Sequence, residues 1–85
     1  MENLKVNTAT GKEYFIKAKH VKSFNLNPGE KVAWNGTLDL YKDELGNCYI
    51  ERHTGNSNHP VVCFRVHSDI QNEKEPKEAM KYLNF

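Results

Sequence analysis

Along most of this chain the apolar residues recur at every second position, which is the period of a strand with one buried face. In KEYFIKAKHV (Lys12–Val21), Tyr14, Ile16 and Ala18 alternate with Phe15, Lys17 and Lys19. That pattern predicts a strand with a lysine-bearing face toward water. LKVN (Leu4–Asn7) is a shorter candidate before it, with a turn in TATG ending at Gly11. Further on, NLNPGE (Asn25–Glu30) reads as a turn, since Pro28 presets φ and Gly29 admits positive φ.

The sharpest local signal is Asn35-Gly36, a type I′ hairpin dipeptide expected to join Lys31–Trp34 to Thr37–Tyr41. DELGN (Asp43–Asn47) is a second turn, and CYIERH (Cys48–His53) is the strand returning from it. TGNSNHP (Thr54–Pro60) is a polar loop. VVCFRVH (Val61–His67) is the most apolar strand, expected at the centre with both faces partly buried.

The period changes in EPKEAMKYLNF (Glu75–Phe85), where Ala79, Met80 and Leu83 gather on one side and Pro76 suits a first helical position. A helix this short is marginal by itself, so it must dock on the sheet, with Phe85 packing at its end. The sum is a mainly β fold: an antiparallel meander of five or six strands with one short C-terminal helix. Curling into a small SH3-like or OB-like barrel or roll would remove exposed edges. An open sheet with the helix across one face is the alternative.

At 85 residues this is one domain (1–85), burying about two-thirds of the surface its unfolded chain exposes. The net charge of +1 argues against an undirected electrostatic grip on nucleic acid. The charge is uneven, however. Residues 1–35 hold six lysines against three glutamates, and residues 36–85 hold six basic against eight acidic side chains. No apolar run is long enough to span a bilayer. The N-terminus lacks the apolar core of a secretory signal, so a cytoplasmic location is expected. Two cysteines then read as free thiols, and the sequon at Asn35 as a turn.

Cys48, His53, His59, Cys63 and His67 look at first like a gathered set of metal ligands or nucleophiles. Extended strands separate them. Cys63 and His67 stand roughly 13 Å apart along a strand, and Cys48 and His53 point to opposite faces. Only a cross-strand pairing could assemble a site, such as His53 with the 61–67 strand, or His53, His59 and His67 meeting across the loop. No metal and no cofactor are expected, and both thiols read as small buried hydrophobes. His53, His59 and His67 with Glu51, Arg52 and Arg65 supply the residue types for ribonuclease-like acid–base chemistry, but with no spacing signature. No phosphate loop is present, since no glycine-rich run opens a helix.

The expectation is therefore a non-enzymatic module acting by steric protein–protein interaction, of the kind used as an accessory or inhibitor protein by a phage or mobile element. Trp34, Tyr41, Tyr49 and Arg52 are the candidate binding surface, because aromatics and arginine dominate interface hot spots. The alternative is a small nucleic-acid-binding barrel using Phe15, Lys17, Lys19 and Lys22. A metal or ribonuclease-like site within residues 48–67 is third.

Overall fold

The computed structural model describes residues 1–26, 36–54 and 60–83. Five strands run in chain order: β1 (Glu2–Asn7), β2 (Glu13–Leu26), β3 (Gly36–Lys42), β4 (Cys48–Thr54) and β5 (Val62–Val66). All neighbouring pairs are antiparallel and the order is β1-β2-β3-β4-β5, a simple meander. A 3-10 turn (Ser68–Asn72) follows. Then comes α1 (Pro76–Met80), continued as a 3-10 turn through Leu83, so that Pro76 opens the helix as its position predicts.

The sheet curls into a half-barrel. β1 returns alongside β5, and Asn7 Oδ1 accepts a hydrogen bond from the Cys63 backbone at 3.2 Å. The ladder does not close between those two strands. Each face of the curled sheet carries its own core. On the outer face Phe24, Leu26, Leu38, Leu40, Cys48 and Ile50 meet Ile70 and Ala79, with Met80, Tyr82 and Leu83 packed alongside. On the inner face Leu4, Val6, Ala18, Tyr41, Tyr49 and Cys63 pack together.

One long strand serves both halves. β2 spans 14 residues, not the ten that its first apolar run suggests. A bulge at Val21 lies between the pairs His20–Tyr41 and Lys22–Leu40. It lets the first half pair with β1 while the second half pairs with β3. A bulge bends a strand and increases its twist, which is the curl needed here.

One expectation needs correction. β5 is not central: as the last strand of a meander it pairs with β4 alone, and β3 is the middle strand. Its partial burial on both faces has another origin, since Val66 joins the outer core and Cys63 the inner one. The hairpin expected between residues 31–34 and Thr37–Tyr41 falls in part outside the described residues. β3 already pairs with β2 on one side and β4 on the other along its length. Residues 31–34 themselves, Trp34 included, lie outside the described set. Finally, the 3-10 turn at Ser68–Asn72 was not expected. It carries the fully buried Ile70 and is capped by His67, whose Nδ1 accepts from the Asp69 backbone at 3.1 Å.

No helix among the described residues is long and apolar enough to cross a membrane.

Candidate functional site

Strand alternation places Asp39 of β3 directly opposite Glu51 of β4, both on the inner face. Like charges directly opposite each other destabilise a sheet, so this pair calls for a compensating group. His53, two residues along β4 on the same face, supplies part of it. Its Nε2 lies 2.6 Å from Glu51 Oε1 and 3.4 Å from Asp39 Oδ2. The other Asp39 oxygen accepts from Ser23 Oγ at 2.6 Å. That bond uses the single hydroxyl proton of Ser23, so His20 Nε2 is the donor to Ser23 Oγ at 2.9 Å. His20 also stacks edge-on against Tyr41. Five polar side chains from three strands thus converge at one end of the inner face, all partly open to solvent.

The surroundings are acidic. Burial pushes the Tyr41 hydroxyl up to about 12, and the carboxylates of Glu51, Glu2 and Asp39 add to the shift. The hydroxyl of Tyr41 is hydrogen-bonded to Glu2.

The residue types Ser, His and Asp are present, but their order is not that of a nucleophilic triad. In a working triad the imidazole stands between hydroxyl and carboxylate. Here Ser23 stands between His20 and Asp39 and gives its proton to the carboxylate. The hydroxyl is a brace for Asp39.

The thiols are equally unsuited to attack. Cys48 and Cys63 are free and buried, on opposite faces of the sheet. Burial pushes Cys63 up to about 12, with Glu51 adding to it, and burial also raises Cys48.

The three histidines of the 48–67 stretch do not gather as a group. His53 joins the inner-face cluster, whereas His67 caps the 3-10 turn and lies 3.4 Å from Asp69 Oδ2. β4 separates them by its length, about 17 Å at strand rise, because His67 follows the Val66 that pairs with Cys48. His59 lies outside the described residues. The partners of His53 come from β3 and β4, not from the 61–67 strand. His20, Ser23 and Asp39 were missed because they lie far from that stretch in sequence. For Asp39 the signal was period two itself, which puts it on the face of β3 opposite Leu38 and Leu40.

Of the proposed hot spot of exposed aromatics, Trp34 lies outside the described residues and the two tyrosines are not exposed. Tyr41 and Tyr49 are only 6% and 3% exposed. Curling brings β1 over their face, so both rings are core, and Tyr49 donates its hydroxyl to Asp43 Oδ2 at 2.8 Å. Arg52 is half-buried on the outer face, between Leu38 and Val62 in the neighbouring strands.

The lysine-bearing face fares differently. Phe15 is 74% exposed, and Lys17 and Lys19 beside it on β2 are exposed too. Lys5 of β1 stands opposite Phe15 and pairs with Glu13 at 3.0 Å. Lys22 does not belong to this face's working set. It lies beyond the bulge, and its Nζ donates to the carbonyls of Gln71 (2.8 Å) and Glu73 (2.7 Å), tying the 3-10 turn to the sheet.

Comparison with protein-family models, with curated proteins and with solved structures finds no match to this chain.

Proposed function

We propose that the protein is a non-enzymatic binding module, and that its working surface is the uncovered outer face of β1 and β2. The observation that carries this reading is a large aromatic side chain, Phe15, standing 74% exposed within a rim of Lys5, Lys17 and Lys19. Helix α1 and the 3-10 turn cover the outer face only beyond the bulge, where Phe24 and Leu26 lie. An apolar anchor in a polar rim is the anatomy of an interface hot spot. Lys17 and Lys19 would steer an acidic partner onto it, whereas Lys5 is paired with Glu13. The partner is accordingly an acidic protein surface, and the action is steric.

Single-stranded nucleic acid is the second reading, favoured by the same mixture of lysine and aromatic residues. It is weaker because such sites stack successive bases on several aromatics. Among the described residues of β1 and the first half of β2, Phe15 offers one platform on this face, since Tyr14 points to the inner side of β2.

Burying a phenylalanine ring contributes roughly 1.5–3 kcal/mol, so Phe15→Ala should weaken partner binding by about tenfold or more. The test is affinity capture from the native host with wild type, Phe15→Ala and Lys17→Glu/Lys19→Glu, alongside titration of a labelled single-stranded oligonucleotide at low and high salt. Capture of a protein that both variants lose is the expected result. Salt-sensitive oligonucleotide binding lost in the same variants would move the assignment to nucleic acid. A partner retained by every variant would remove this face from consideration.

A further inference from the structure

The Asp39–Glu51–His53 cluster lies on the other face of the sheet from Phe15 and has no part in the reading above. We propose that it binds one divalent first-row transition ion, Zn²⁺ being the natural probe, through Asp39 Oδ2, Glu51 Oε1 and His53 Nε2.

The donor atoms are already close. One atom from each of the three residues lies within 4.8 Å of the other two. Bonds of about 2.0–2.2 Å to nitrogen and oxygen in a tetrahedral site place neighbouring ligands about 3.3–3.6 Å apart. His53 Nε2 and Asp39 Oδ2 stand at 3.4 Å now. The 2.6 Å approach of His53 to Glu51 has to open by roughly 0.7–1 Å, a movement within reach of the glutamate side chain. Two carboxylates facing each other across a ladder, with the Glu2 and Tyr41 pair beside them, leave an excess of negative charge that a dication would neutralise.

The support around the ligands is also in place. Ser23 holds the outer oxygen of Asp39 and His20 holds Ser23, leaving Oδ2 turned to His53 and Glu51. Ligating carboxylates are fixed in this way by outer partners. One imidazole and two carboxylates suit zinc and its neighbours, whereas Ca²⁺ and Mg²⁺ favour all-oxygen sets. The ion would take the Nε2 lone pair, so the ring would carry its proton on Nδ1. Three protein ligands at a partly open surface leave further coordination to water.

Isothermal titration with Zn²⁺, paired with long-range ¹H–¹⁵N spectra of the histidine rings, tests this. One equivalent should bind, with the perturbation centred on Nε2 of His53. Glu51→Gln and the double variant with Asp39→Asn should lose the site, and Ser23→Ala should weaken it by about 10- to 100-fold. His67→Ala should bind as wild type does. Glutamine keeps an acceptor for His53, so the single variant serves if the double one unfolds. Absence of one-to-one uptake at millimolar Zn²⁺ overturns the proposal. So does undiminished binding by a folded Glu51→Gln protein.

Discussion

Gly36 is the residue whose replacement most directly tests how β3 and β4 are held together. Its φ of +148° is a conformation that side-chain-bearing residues rarely adopt. A methyl group there would lie 2.0 Å from the His53 carbonyl oxygen and 2.9 Å from Thr54 Cα, where ordinary contact begins at 3.4 Å. Both obstacles are backbone, so no rotamer change relieves them. Gly36→Ala must therefore either rotate φ or push the end of β4 away. The backbone cost is about 1–2 kcal/mol. Parting the Gly36–Thr54 and Thr37–His53 pairs adds about 1 kcal/mol for each hydrogen bond lost. The total is about 3 kcal/mol, a large share of the roughly 4–13 kcal/mol expected for a domain of this length. Urea unfolding reads it directly: at a slope near 1 kcal/mol/M the midpoint should fall by about 3 M. Gly11→Ala is the control. Its φ is +83°, but the space around it is open, so only the backbone cost applies and the midpoint should fall by about 1 M. Equal shifts in the two variants would refute the close-approach argument.

Two further outcomes follow from the same packing. Lys22→Met keeps an aliphatic side chain but removes both hydrogen bonds to the carbonyls of Gln71 and Glu73, and with them the ammonium that lies 5.2 Å from the Phe24 ring centroid, so stability should fall by about 1–3 kcal/mol. Amide exchange at Ile70 should quicken more than at Ile50, and uniform quickening would refute the strap. At alkaline pH, Tyr41, Tyr49 and Cys63 retain their protons to about 12 when folded, against ordinary values of 10.0, 10.0 and 9.0. Their contribution is complete below pH 9 and is lost as pH rises through 9–12, because the unfolded chain releases these protons first. Denaturant midpoints should fall across that window. A flat profile to pH 12 would show that burial does not hold these groups neutral.

How far the sequence exposed the fold can be seen in particular segments. The turns at Thr8–Gly11 and Asp43–Asn47 were legible because their chemistry is local. Thr8 accepts from the Gly11 amide, and Asp43 Oδ1 accepts from the Leu45 and Asn47 amides. The strands and the helix at Pro76 were legible from period, whereas the curling of the meander was expected only because it removes exposed edges. The part Gly36 plays was not legible, because a glycine needed for close approach of β4 carries the same letter as a glycine needed for a tight turn. Tyr41 and Tyr49 misled for a related reason. Alternation put both on the face away from Leu38, Leu40 and Ile50, which would be solvent in a flat sheet. In a curled one it is a second core, and curling depends on residues far away in β1 and β5.

The candidate site was hidden by a single inserted residue. His20 and Ser23 are three apart, so in a regular strand they point to opposite faces. The bulge at Val21 reverses the parity between them. Both then reach the inner face, where Ser23 meets Asp39 and His20 meets Ser23. Nothing in the alternation of residues 12–21 announces that reversal, since Val21 continues the pattern as well as any residue would. The same insertion sends Lys22 outward to the 3-10 turn and Phe24 and Leu26 to the outer core. One irregularity therefore bends the sheet, divides β2 between two cores and assembles the polar cluster. The cluster's geometry and the fold's curvature have a common cause.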